Sequence, residues 1–173
     1  MTDDRALSQT DGGFTNRVTR LDGRAAYRQA AFELIGVARR QLRVLSQELD
    51  RQLWNDPGIV DLLREFALRS THAELRILVN QPQRIAQRGH RLVELARQLP
   101  SRIAIRELNE EHRSIVEEFA VADERALLCK RRHDDPDAQW SAQAPPDARR
   151  LVRRYDRLWD EAVPARELAI LGL

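Results

Sequence analysis

The residues best suited to chemistry in this sequence are cationic. From position 84 to 91 the chain reads Arg-Ile-Ala-Gln-Arg-Gly-His-Arg, which gathers Arg84, Arg88, His90 and Arg91 in one short segment. Guanidinium groups offer planar, bidentate contacts to phosphate or carboxylate, so the segment suits an anion. Arg106 is a fifth candidate for the same pocket. The competing reading is a solvated loop with surface ion pairs, because arginine is common throughout: of 29 basic residues only Lys130 is a lysine. Lys130-Arg131-Arg132-His133 is the compact basic run, but Asp134, Asp135 and Asp137 follow and offset it. The spacing of His133-Asp134-Asp135-Pro136-Asp137 matches neither a zinc site nor a calcium loop. Ser46, Gln47 and Glu48 end an apolar run, where polar residues either line a pocket or form a turn. No Gly-x-Ser-x-Gly, glycine-rich phosphate loop or paired-histidine motif occurs, so neither cofactor nor metal is expected.

Composition narrows the classes further. At 173 residues and 42% hydrophobic content, the chain can bury a core without disulfides or a structural metal. Cys129, the lone cysteine, lies in an apolar run and reads as a small buried hydrophobe in a reducing compartment. Acidic and basic residues nearly cancel to a net charge of +2, which gives little reason to expect general nucleic-acid binding. No apolar run approaches the roughly 20 residues needed to cross a bilayer, and the first residues are polar, so a cytoplasmic, non-membrane protein is expected.

These side chains need a scaffold to position them. Residues 1–20 lack periodicity and are expected to form a disordered tail, with one domain over 21–173. Asp22 is placed to cap a helix over about 24–40, with Tyr27, Ala30, Ala31, Leu34, Ile35 and Ala38 on one face. A strand over 41–46 follows, then a helix to Arg69 announced by Asn55-Asp56-Pro57. Residues 73–79 form a second strand, and a polar loop containing Pro82 leads to a helix over 91–98. A third strand over 102–108 completes a strand–helix rhythm typical of a parallel sheet. Two short apolar runs around Asp123-Glu124-Arg125 predict a hairpin. Residues 133–146 read as a loop. The strongest helix starts near Asp147, with Leu151, Val152, Tyr155, Leu158, Trp159 and Ala162 in one stripe. Trp54 and Trp140 fall in apparent loops, to be tucked over the core edge or to anchor a partner.

The order of these elements is similar to one half of a phospholipase D-like protein. The resemblance is carried by LIGVARRQLRVLS, DLLREFALRSTHAELRILV and LVELARQLPSRIAIREL, and by EEFAVADERALLCK, which resembles that superfamily's catalytic hairpin. It covers most of residues 24–132 and implies an α/β fold, a mixed sheet of about five to seven strands flanked by helices. The stretch HRLVELARQLPSRIAIR also resembles a bacterial domain sometimes found beside an N-acetyltransferase, which implies an acetyltransferase as a partner.

The superfamily signature is His-x-Lys, four further residues, then Asp. Its histidine attacks phosphorus, its lysine neutralises phosphate charge and its aspartate supports the hairpin. Laid on Asp123, the pattern puts Val116 at the histidine position and Glu118 at the lysine position. Valine is no nucleophile, and a carboxylate repels phosphate. His112 is displaced by about 13 Å of extended chain and does not substitute. The Gly-Ser-x-Asn that usually follows is replaced by the basic run at 130–133. The resemblance therefore implies a degenerate motif and no ordinary phospholipase D catalysis. A binding or regulatory module is expected, with a phosphorylated small molecule or nucleic-acid end in the vestigial cleft as the alternative. Single-motif relatives pair across their clefts, so a homodimer is expected.

Overall fold

The computed structural model describes residues 14, 15 and 17–169. Eight strands form one mixed sheet: β1 (Thr19–Leu21), β2 (Gln41–Ser46), β3 (Glu74–Val79), β4 (Ile103–Glu107), β5 (Glu118–Ala122), β6 (Ala126–Lys130), β7 (Ala138–Ser141) and β8 (Val163–Pro164). Their order across the sheet is β1-β7-β6-β5-β2-β3-β4-β8. The central β2, β3 and β4 are parallel, and the remaining pairs are antiparallel. The helices are α1 (Gly23–Val37), α2 (Pro57–Arg69), α3 (Pro82–Arg88), α4 (Arg91–Gln98), α5 (Pro145–Glu161) and α6 (Arg166–Ala169). No described helix is long and apolar enough to cross a membrane.

The period-two alternation of the strands divides the core into two layers. Leu42 and Val44 of β2, Leu75 and Ile77 of β3, and Ala120 and Leu128 of the hairpin face α1, α2 and α4. Leu45, Leu78, Phe119, Val121, Leu127 and Cys129 face α5. The predicted stripe of α5 is buried there: Leu151, Val152, Tyr155, Leu158 and Trp159 all pack inward. Tyr155 and Trp159 stack with ring centroids 6.0 Å apart, and Phe119 meets Tyr155 edge-on at 6.2 Å. Arg76 and Arg106 lie over the Trp159 ring at 5.3 and 4.6 Å.

Local signals explain the helix starts. Pro57 occupies the first turn of α2, and the Asp56 carboxylate accepts the Ile59 N–H at 3.1 Å. Asp22 stands at the N-cap of α1, but its side chain makes no capping hydrogen bond. Four expectations need correction. The sheet has eight strands rather than five to seven, because the short strands β1, β7 and β8, at or next to its edges, carry little periodicity. The polar stretch after β3 is helical as α3, and β7 lies inside the expected 133–146 loop. The expected N-terminal tail falls largely outside the described residues, and its last two residues, Thr19 and Arg20, belong to β1.

Trp54 is buried, and Trp140 sits in β7, partly buried against the α1 side of the core. Buried Cys129 has its thiol pushed up to about 12, chiefly by burial, which keeps it protonated and inert.

Candidate ligand-binding site

Parallel strands put their carboxyl ends at one edge of the sheet, and ligands of open α/β folds collect there. At this edge, on the α1 side, a cavity of about 500 Å³ is lined by Glu48, Leu49, Asp50, Arg51, Gln52, Arg84, Ile85, Arg88, His90, Glu118 and His133. Three of the five expected anion-pocket residues, Arg84, Arg88 and His90, therefore meet in one cleft. Arg91 and Arg106 do not join them. The Arg91 backbone and guanidinium both donate to Asn55, at 2.7 and 3.2 Å. Arg106 points to the opposite face of β4, where it donates to the Trp159 carbonyl at 3.2 Å.

Glu118 forms the floor. It is 6% exposed, and its Oε1 accepts from Ser46 Oγ at 2.6 Å and from the Gln47 N–H at 2.8 Å. Burial raises its pKa, against these hydrogen bonds and against the nearby charges of Lys130 and His133. Tyr27 lies close by, its hydroxyl pushed well above the ordinary value by burial and then by the Glu118 charge. Ser46 and Gln47, expected either to line a pocket or to turn the chain, hold the floor in place. Gln47 Nε2 also donates to the Ile115 carbonyl at 2.8 Å, and Asn80 Nδ2 donates to Gln47 Oε1 at 2.9 Å. This clamp fixes the segment before β5 that carries Val116, which is 39% exposed.

His90 is structural within the cleft. Its Nδ1 accepts the Leu92 N–H at 3.2 Å as the N-cap of α4, and its Nε2 donates to the Leu49 carbonyl at 3.0 Å. Burial lowers its pKa to about 4, so the ring is neutral at pH 7 and offers an anion no charge. Leu49 itself is buried with φ of 54°, a left-handed conformation costing about 1–2 kcal/mol for a residue with a Cβ. Gly89, with φ of 64°, supplies the turn between α3 and α4.

The cations of the rim differ in their commitments. Arg84 pairs with Glu48 at 3.3 Å, and Arg51 donates to the Gly89 carbonyl at 2.5 Å. Arg88 and His133 are exposed, and their side chains make no hydrogen bond or salt bridge among the described residues, although the His133 charge is felt by Glu118. His133 was legible only through the hairpin. The β5–β6 register sets Lys130 opposite Glu118, and the His133 N–H then bonds the Val116 carbonyl at 2.9 Å. An imidazole and an ammonium thus stand across the ladder from Val116 and Glu118. The Lys130 ammonium rests 4.3 Å from the centre of the Tyr27 ring.

Val116, Glu118 and Asp123 do not share one cleft. Asp123 lies at the far end of β5 in the hairpin turn, where its carboxylate accepts the backbone N–H groups of Arg39, Arg40 and Gln41 at 2.5, 2.8 and 2.8 Å. It ties the hairpin to the start of β2. His112 is also remote from the cavity and pairs with Glu161 at 2.6 Å. In the basic run, Arg132 pairs with Asp134 at 3.1 Å, and Asp137 pairs with Arg20.

The family model for a domain of unknown function, DUF7931, matches residues 23–171. The chain belongs to that family. No curated protein matches it in sequence. Among solved structures, the DUF7931 chain is similar to TrmBL2, an archaeal chromatin protein, with a TM-score of 0.61 and 12% identity over 90% of its length. It spans only 56% of that protein. It is also similar to Nuc from Salmonella typhimurium, a phospholipase D family member (TM-score 0.58, 12% identity, covering 84% of this chain and 96% of that one). NucT from Helicobacter pylori gives a TM-score of 0.61 at 10% identity, covering 85% and 98% of the two chains. These similarities establish that the DUF7931 chain has the fold of phospholipase D family members.

Proposed function

We propose that this chain is a phospholipase D-like binding domain that does not cleave phosphodiesters, and that its cleft takes a small phosphorylated ligand. The observation that carries the first part is the buried Glu118 carboxylate, fixed on the cleft floor by Ser46 and Gln47. In the register laid on Asp123 it stands at the lysine position, with Val116 at the histidine position. A fixed carboxylate there opposes the charge that develops on a transferring phosphoryl group. Val116 supplies no nucleophile.

The second part rests on Arg88 and His133, whose side chains make no hydrogen bond or salt bridge among the described residues, and on Arg84 beside them. A phosphate at the rim gains charge-assisted hydrogen bonds while staying clear of Glu118. That the similarly folded Nuc is a phospholipase D family member supports a phosphate-facing cleft. The test is turnover of bis(p-nitrophenyl) phosphate alongside calorimetric titration of p-nitrophenyl phosphate. The expected result is no hydrolysis above buffer, and binding that weakens at least tenfold in Arg88→Gln. Hydrolysis abolished by His133→Ala would overturn the non-catalytic reading. Binding indifferent to Arg88→Gln would overturn the placement of the ligand.

A further inference from the structure

The face of the sheet opposite the cleft carries a second concavity. A groove of about 530 Å³ runs between α5 and the β5–β6 hairpin, lined by Phe14, Glu117, Phe119, Arg131, Gln139, Arg150, Arg154 and Arg157 among others. Glu117 is its one acidic residue, and it is already paired with Arg154. Arg150 approaches Asp147 at 3.5 Å and lies over Phe14 at 5.3 Å. Arg131 and Arg157 are exposed and have no protein partner among the described residues. Arg149 and Arg153, equally exposed and unpartnered, continue the row along α5, so that Arg149, Arg153 and Arg157 recur every fourth residue.

The acidic residues of α5 do little to neutralise this row. Asp147 is buried and accepts from Thr15, Asp156 pairs with Arg43, and Glu161 pairs with His112. Of these acids only exposed Asp160, beyond the last arginine, is without a partner among the described residues. Four guanidinium groups therefore face solvent uncompensated, in a chain whose net charge is only +2.

We propose that this arginine row binds the phosphate backbone of a nucleic acid, without reading its sequence. The dimensions favour an extended polyanion over a single phosphate. From Arg149 to Arg157 the helix rises about 12 Å at roughly 1.5 Å per residue. One strand of a DNA duplex presents three to four phosphates over that length, at roughly 3.4 Å each. Arginine suits the role because its planar fork grips phosphate oxygens in pairs. A membrane surface fits less well. The exposed large apolar side chains of the described residues are Val37, Leu68, Val116 and Val163, none of them on α5, so the row has nothing to insert among lipid tails. The site lies on the other side of the sheet from the cleft and does not depend on the cleft's ligand.

The experiment is fluorescence anisotropy of a labelled duplex of about 20 base pairs, titrated with the full chain between 50 and 200 mM salt. Four phosphate contacts predict a log–log slope near −3.6, which is a loss of about a hundredfold in affinity across that range. The triple variant R149Q/R153Q/R157Q, altered only at exposed positions, should melt as the parent does, with a slope near −1 and affinity at low salt reduced at least tenfold. The double variant R24Q/R166Q, altered on helices of the other face, should bind as the parent does. Absence of duplex binding at 50 mM salt would overturn the proposal. So would equal losses in both variants, which would mean diffuse charge, or α5-dependent binding to anionic phosphatidylserine vesicles without duplex binding.

Discussion

The two faces of the sheet use the same kinds of charged side chain to opposite ends. On the cleft face, charges are interleaved and largely committed: Arg84 to Glu48, Arg51 to a carbonyl, and Glu118 to Ser46 and Gln47. His90 is held neutral by burial. On the α5 face the acids, exposed Asp160 apart, turn inward or pair with other elements, and the arginines project outward. The first arrangement suits a small ligand that must satisfy several polar groups at once, and the second suits a long polyanion. Net charge reports neither, because it averages over both.

The largest expected effect tests whether the α5 face is core beneath its arginines. Trp159 is 6% exposed, stacks on Tyr155 and is covered by two guanidinium groups. Trp159→Ala should cost about 3–5 kcal/mol, read as a lowered melting temperature. An unchanged melt would mean that the helix is held by something other than its stripe.

The cleft face should show its own signature in acid. His90 has a folded pKa of about 4, below the ordinary value of 6.5, so the unfolded chain takes up its proton first as pH falls. Its contribution is complete above pH 6.5 and is lost progressively between 6.5 and 4, by on the order of 3 kcal/mol. His90→Asn keeps an N-cap residue but removes the titration. Denaturant midpoints across that window should therefore fall less steeply in the variant. Identical slopes would show that other groups govern the acid limb.

Glu118 provides the smallest effect, with the opposite sign. Its pKa is raised in the folded state, so its destabilising contribution appears as pH rises through the folded value. Glu118→Gln keeps an oxygen that accepts from Ser46 and Gln47 and removes the buried charge. At pH 8 the variant should be as stable as the parent or up to about 1 kcal/mol more stable. A loss of stability at pH 8 would show that the charge itself is needed, with Lys130 its evident partner.

How much of this was legible in the sequence follows from burial. The strands β2, β3 and β4 announce themselves because strands covered on both faces read as apolar runs, and α5 because its stripe is unbroken. The short strands β1, β7 and β8 pair only two or three residues with each neighbour and show no such pattern. Within the site, Arg84, Arg88 and His90 were legible because they sit near the end of one strand–helix connection. Arg106 was misplaced for want of one step: it alternates with Ile105, which packs on the α1 side, and so must face α5. His133 needed the hairpin register, which sequence spacing suggests but does not fix. The segregation of arginines on α5 was hidden for another reason. Whether an acid offsets a neighbouring arginine depends on which way it points, as buried Asp147 shows.

The separation of the two faces is tested most directly by residue-resolved amide chemical shifts of the whole chain during two titrations. Addition of the DNA duplex should move signals of α5 and Arg131 and leave those of Gln47, Leu49 and Arg88 in place, and p-nitrophenyl phosphate should do the reverse. Duplex-induced shifts centred on the cleft, with α5 silent, would contradict the account.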